Sequence, residues 1–191
     1  MKKKNKITFT QYNSYIHIYH VEGLNNMLSS QKDYIVNEFN ILSKIGGGFP
    51  KFQYNFRTQN KVINKNLTSL FKKIINTYYL IDISLKYIHP MIYYQDKEKF
   101  KSIFHNHYND LTLAATTYID PLNKGEGGEL QFYAHENEII SISPEIDCIY
   151  FFPGWMLHRP LPQNTNKKRI CINWGVDCNN RPIHKLTGDR W

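Results

Sequence analysis

Cys148-Ile149-Tyr150-Phe151-Phe152-Pro153-Gly154-Trp155-Met156-Leu157-His158 is a strongly apolar run that ends on a single histidine. Its first five residues have strand length and strand composition, and Pro153-Gly154 stops them. Cys148 to Phe152 therefore reads as a buried strand. Outward from it the same texture recurs in Met91 to Tyr94, Ser102 to His107, Leu111 to Tyr118, Glu129 to Tyr133, Ile139 to Ile142 and Arg169 to Trp174. Turn residues such as Pro121-Leu122-Asn123-Lys124-Gly125 and Pro144-Glu145-Ile146-Asp147 separate them. Before residue 88 the pattern differs. Gln31 to Ile45 sets Tyr34, Ile35, Phe39, Ile41 and Leu42 at helical spacing and ends at Gly46-Gly47-Gly48, a helix stop. Asn66 to Ile88 carries an apolar stripe from Leu67 to Tyr79, and Pro90 is expected to end it. Helices followed by about seven short strands predict one α+β domain. Its strands should form a sandwich or barrel, with the helices on one outer face.

The chain has 191 residues, 41% apolar and 15% aromatic, which is too apolar for a disordered protein. No apolar run approaches the ~20 residues of a membrane helix. The basic start Met1-Lys2-Lys3-Lys4-Asn5-Lys6 precedes a segment too polar for a signal peptide, so a cytoplasmic protein is expected. The net charge of +8 invites a nucleic-acid reading, yet beyond Lys2-Lys3-Lys4 the tight cationic groups are only Lys72-Lys73 and Lys167-Lys168-Arg169. A nucleic-acid interface needs cations clustered with exposed aromatics. Cys148, Cys171 and Cys178 lack CxxC spacing and read as reduced thiols.

The densest polar cluster is His105-Asn106-His107-Tyr108-Asn109-Asp110. On a strand His105 and His107 share a face, and with a carboxylate three residues on they make a partial metal site suited to Fe(II), Zn or Mn. The bland alternative is a pair of surface histidines. Arg169 lies 11 residues beyond His158, across a segment with Pro160, Pro162, Asn164 and Asn166 that resembles a hairpin loop. That hairpin would bring His158 and Arg169 together. A guanidinium opening an apolar strand needs an anionic partner: the carboxylate of a ligand, or Asp147 or Glu145. His17 and His20 hint at one face of a strand or helix, and His135 and His184 read as solvated.

The order of these elements resembles the 2-oxoglutarate- and Fe(II)-dependent oxygenases of the prolyl-hydroxylase type. The elements are His105 to Asp110, Tyr118-Ile119, Gly127-Gly128-Glu129-Leu130, Phe152-Pro153 to His158, and Arg169, over about residues 91 to 175. The resemblance implies a double-stranded β-helix (jelly-roll) spanning residues 90–176, supported by a mainly helical segment 1–89 and followed by a tail 177–191. It implies iron held by two histidines and a carboxylate, with His158 as the distal ligand. Arg169 would hold the far carboxylate of 2-oxoglutarate, and Gly127-Gly128 would make a tight turn. Tyr118 and Tyr94 are candidate co-substrate contacts, although Tyr93 and Tyr94 would equally pack against the helices.

The proximal motif departs from the family's His-x-Asp. If His105 takes the histidine's place, His107 stands at the carboxylate and the site has three histidines. If His107 is the histidine, Asp110 supplies the carboxylate through a longer turn. The set His107, Asp110 and His158 keeps a carboxylate and is preferred, with His105 behind it or against substrate. The expected activity couples oxidative decarboxylation of 2-oxoglutarate, with O2, to hydroxylation of a protein side chain, a free amino acid, a nucleobase or a small metabolite; a peptidyl or amino-acid substrate is favoured. The alternatives are a cupin-like metal-binding protein or a non-catalytic binding protein on the same barrel.

Overall fold

The computed structural model describes residues 6–12, 15–29, 32–33, 37, 54–56, 61–76, 85–95, 102–107, 113–134, 138–167 and 169–178. Its elements include β1 (Ile7–Gln11), β2 (His17–Val21), α1 (Leu24–Ser29), β3 (Tyr54–Phe56), α2 (Lys61–Ile74), β4 (Leu85–Gln95), β5 (Leu113–Ile119), β6 (Leu130–Tyr133), β7 (Ile139–Ile142), β8 (Cys148–Pro153), β9 (His158–Pro160) and β10 (Arg169–Cys178). They pair into two antiparallel sheets. The larger has the order β1-β2-β8-β5-β10-β4-β3 and the smaller β7-β6-β9.

Every residue of β5 and β8 is buried, because these strands lie inside the larger sheet and are covered on both faces. The two-residue alternation sorts their side chains. Leu113, Ala115, Ile119, Ile149 and Phe151 join Tyr19, Val21, Leu24, Leu28, Phe71 and Ile74 in one core cluster. Ala114, Tyr118, Cys148, Tyr150 and Phe152 join Leu130, Phe132 and Ile142 of the smaller sheet in a second. A strand buried on both faces shows no polar side, which is why 148–152 reads as a continuous apolar run. Each fully buried ring, such as Phe151 between Tyr19 and Phe71, stabilises the fold by roughly 1.5–3 kcal/mol.

Several expectations are corrected. The helix expected from Asn66 to Ile88 is replaced by α2 and, from Leu85, by a strand that runs through Pro90. Proline lacks the N–H of a ladder bond; Pro90 stands opposite Trp174 of β10, and among the described residues β3 pairs β4 at Ile92–Tyr94. The amino-terminal segment, expected to be mainly helical, adds β1 and β2 to the larger sheet. In β2, Tyr19 and Val21 alternate with half-buried Ile18 and exposed His20, a period of two. Ser102 to His107 forms no strand of its own and meets β9 at one bridge, His105–His158. Finally, β9 and β10 do not form a hairpin: they belong to different sheets. Past Pro160 the chain stays bonded to the segment before β6, through Leu161 N–H to Glu129 O and Gly128 N–H to Pro162 O, and then crosses to the larger sheet.

The helix expected over Gln31 to Ile45 lies largely outside the described residues, as do Asp110, His135 and His184. Asp147 accepts the N–H groups of Gly23 (3.1 Å) and Asn25 (2.5 Å) and so caps the start of α1. Asn25 in turn hydrogen-bonds Asp120 at the end of β5. No helix among the described residues is long and apolar enough to cross a membrane.

Candidate metal centre

His105 and His158 form a directly opposed antiparallel pair. The N–H of His105 donates to the carbonyl of His158 at 3.0 Å, and the N–H of His158 returns the bond at 2.9 Å. Residues so paired project their side chains to the same side, and His107, two residues on, follows. The His107 N–H donates to Gly154 O at 2.6 Å, which ties this segment to the turn after β8. The ring centroids lie 4.4 Å (His105–His158), 5.1 Å (His107–His158) and 5.3 Å (His105–His107) apart. One nitrogen from each ring lies within 4.8 Å of the other two, close enough for a shared cation.

The tautomers suit ligation. His158 Nδ1 is 2.9 Å from Met156 O, and His105 Nδ1 is 3.1 Å from Ile103 O. A carbonyl only accepts, so each Nδ1 carries the hydrogen and each Nε2 keeps its lone pair. His158 is buried against the ring of Phe152, 4.6 Å away, with Phe132 behind it. Desolvation pushes its pKa down to about 3, against the bond to Met156 O and with the neighbouring His105 and His107. The imidazole therefore stays neutral at physiological pH, the form that binds metals. Three imidazoles with open positions beside them fit Fe(II) or Zn by donor type.

Arg169 is 1% exposed, at the start of β10. Its Nη1 donates to Gly128 O at 2.6 Å and its Nη2 to Leu161 O at 3.3 Å, and its guanidinium stands 5.6 Å from the centre of the Tyr118 ring. Both Arg169 and Tyr118 are buried between the sheets, where burial drives the Tyr118 hydroxyl's pKa up and the nearby guanidinium opposes this. Thr116, two residues before Tyr118 on β5, is also buried, close enough to the Tyr118 hydroxyl to oppose the rise in its pKa. These donors suit a carboxylate. Tyr94 pairs in register with Ile170, whereas Tyr93 pairs with Cys171, which itself pairs with Tyr118. His20 lines a separate cavity of about 430 Å3, with Ser141, Glu145, Cys148 and Tyr150, that includes none of the three clustered histidines.

The structure brings together His105, His107 and His158, and separately Arg169 and Tyr118. Sequence reasoning treated Gly127-Gly128 only as a turn. Both have positive φ, but a Cβ on Gly128 would also stand 2.5 Å from Arg169 Nη1. Gly128→Ala should therefore destabilise the protein more than Gly125→Ala. Gly125 has φ +89 but open space around its Cβ position, so it carries only the left-handed backbone penalty of about 1–2 kcal/mol. Thermal melts of the two variants measure the difference, which reports the seat of Arg169.

No protein-family model matches the chain, and no curated protein matches it in sequence. Solved structures do match. A prolyl hydroxylase from Trichoplax adhaerens, in complex with a hypoxia inducible factor oxygen degradation domain peptide fragment, aligns at TM-score 0.64 and 16% identity over 94% of this chain and 89% of that one. HygX from Streptomyces hygroscopicus, with nickel and 2-oxoglutarate bound, aligns at TM-score 0.56 and 10% identity over 79% of each chain. A prolyl 4-hydroxylase from Phytophthora capsici aligns at TM-score 0.56 and 18% identity over 76% of this chain but only 54% of its own. With two antiparallel sheets, a histidine cluster that is buried at His158 and open at His105, and a buried arginine, the chain has the jelly-roll-like fold of the 2-oxoglutarate-dependent oxygenases and prolyl hydroxylases.

Proposed function

We propose that this protein is a non-haem iron oxygenase that couples oxidative decarboxylation of 2-oxoglutarate to hydroxylation of a substrate C–H bond. The observation that carries the reading is the convergence of His105, His107 and His158, in a fold that also buries Arg169 beside Tyr118. Bound Fe(II) would supply the redox chemistry with O2. The protein's own residues hold and orient. Nε2 of His158 and of His105 and a nitrogen of His107 would hold the metal, and Met156 O and Ile103 O fix two of the ring tautomers. Arg169 and Tyr118 receive the distal carboxylate, and Phe132 and Phe152 exclude water from His158.

The reciprocal backbone pairing of His105 with His158 supports His105 as the first ligand, with His107 at the position a carboxylate usually takes. This three-histidine set is now favoured over His107, Asp110 and His158. It leaves the metal with its full positive charge, which suits an anionic keto acid as the remaining ligand. A peptidyl or amino-acid substrate is favoured by fold likeness, since the Trichoplax enzyme is seen with a peptide. In this reading the chain is one oxygenase domain, β1 and β2 extend the jelly-roll, and α1 and α2 back its larger sheet. It works in a reducing cytoplasm, in keeping with the free, buried thiols Cys148 and Cys171.

Anaerobic addition of Fe(II) and 2-oxoglutarate should give the weak visible charge-transfer band of a chelated keto acid. Absence of the band with iron demonstrably bound would overturn the oxygenase reading in favour of a cupin-like or purely binding protein. The ligand set is separated by two variants. His107→Ala should lose Fe(II) affinity while Asp110→Ala keeps it; the reverse pattern restores the carboxylate.

A further inference from the structure

Residues 102–107 carry two of the three clustered histidines without forming a strand, and they meet β9 at one bridge, His105–His158. The Ser102 hydroxyl donates to Pro160 O at 2.8 Å, and the His107 N–H to Gly154 O at 2.6 Å. A single bridge fixes the height of His105 along β9 but lets the segment roll about its own length. Such a roll would carry both imidazoles away from His158. Phe104 and Arg159 stand where they can stop it. Successive side chains of extended backbone alternate, so Phe104 before His105 and Arg159 after His158 both project to the face away from the histidines. There the Arg159 guanidinium lies 4.3 Å from the centre of the Phe104 ring, and that ring also meets Tyr133 of β6 edge-on, with centroids 6.0 Å apart. Arg159 is held in turn: its Nε donates to Gln131 Oε1 at 2.9 Å, and Gln131 is its partner in the β6–β9 register. A second side-chain pair thus stands directly behind the pair of paired histidines.

We infer that Phe104 and Arg159 are positioning residues of the metal centre, which lock the roll of residues 102–107 and so set the distance of the His105 and His107 nitrogens from His158. This inference rests on the metal-binding reading of the histidine cluster. Neither residue touches the metal; both act through the backbone of the ligands beside them. Metal ligands have to be held within about 0.5 Å of their working places, which a segment with one bridge does not ensure by itself. Arginine suits the task better than lysine, because a planar guanidinium lies against a ring while its Nε keeps a hydrogen bond to Gln131.

The test is titration of Co(II) into the metal-free full chain, read by its visible absorption band and by competition with a chelator, beside thermal melts of the metal-free protein. Phe104→Leu should weaken Co(II) binding about tenfold, the lower end of the loss when a residue that orients a metal ligand is removed, and should alter the intensity of the band. Phe104→Tyr keeps the ring and should bind as the unmodified protein does. Arg159→Met keeps the stem, loses the guanidinium and should also weaken binding. The double variant should lose no more than the weaker-binding single variant, because the two residues act through one contact. Unchanged affinity and an unchanged band in Phe104→Leu, whatever its melting temperature, overturn the inference, as do losses that simply add in the double variant. If the unmodified protein binds no Co(II), the metal-binding reading itself fails, a result distinct from a failure of Phe104 and Arg159 alone.

Discussion

Replacing His158 by alanine should remove tight Fe(II) binding and, with it, succinate formation from 2-oxoglutarate. His158 is paired by two backbone hydrogen bonds to His105 and lies nearer to His105 and His107 than those two lie to each other. It is the shared member of the cluster. Loss of a partner that merely orients a metal ligand lowers affinity by about 10–100-fold, so loss of the ligand itself should exceed roughly a hundredfold. The side chain is buried against Phe152, so Ala also leaves a small cavity and should lower stability by about 1–3 kcal/mol. His158→Gln fills more of that space and serves as the control. Iron affinity is read by competition with a chelator on the folded protein. Retention of the original affinity in both variants would place the distal ligand elsewhere.

Arg169→Ala should leave iron ligation intact and reduce 2-oxoglutarate affinity by roughly a hundredfold or more. A buried charge pair broken on one side costs about 3–5 kcal/mol, and every 1.4 kcal/mol is tenfold in binding. Here the structure adds a second expectation. The guanidinium also satisfies Gly128 O and Leu161 O, so its loss leaves two carbonyls short of a donor and should lower the melting temperature even without ligand. A fall in stability therefore decides nothing by itself; the dissociation constant on the folded fraction does. Arg169→Lys should recover only part of the affinity, because an ammonium keeps the charge and loses the planar fork that serves a carboxylate and two carbonyls together. A dissociation constant unchanged in Arg169→Ala would reduce the residue to a brace between the sheets.

The strands that carry the site were legible because burial on both faces leaves an unmistakable composition. Cys148–Pro153 is apolar from end to end and Leu113–Ile119 is broken only by Thr116 and Thr117, and the histidines and Arg169 stand out against such neighbours. The amino-terminal strands and the part of β4 before Met91 were not legible, for the opposite reason. β1 is an edge strand with four exposed residues, and α2 and β4 follow one another through apolar sequence that fits either period. Pro90 argues for a break, yet it pairs with Trp174 inside β4.

By itself the sequence determined which side chains can do chemistry here: two histidines at strand spacing, a distant third histidine, and an arginine that an apolar strand cannot bury without a partner. It could not determine which of them meet. Whether His105 stands beside His158 depends on the register between the segment 102–107 and β9, and a shift of one residue would turn His105 to the other face. The pairing of two segments more than fifty residues apart is a tertiary outcome. Tertiary structure likewise decided that Arg169 reaches the interior from the larger sheet and that Gly128 must lack a side chain to admit it. Local sequence sets the parity of each strand, but only the packing of one sheet against the other selects the faces that share a space, because that choice is made by contacts distant in the chain.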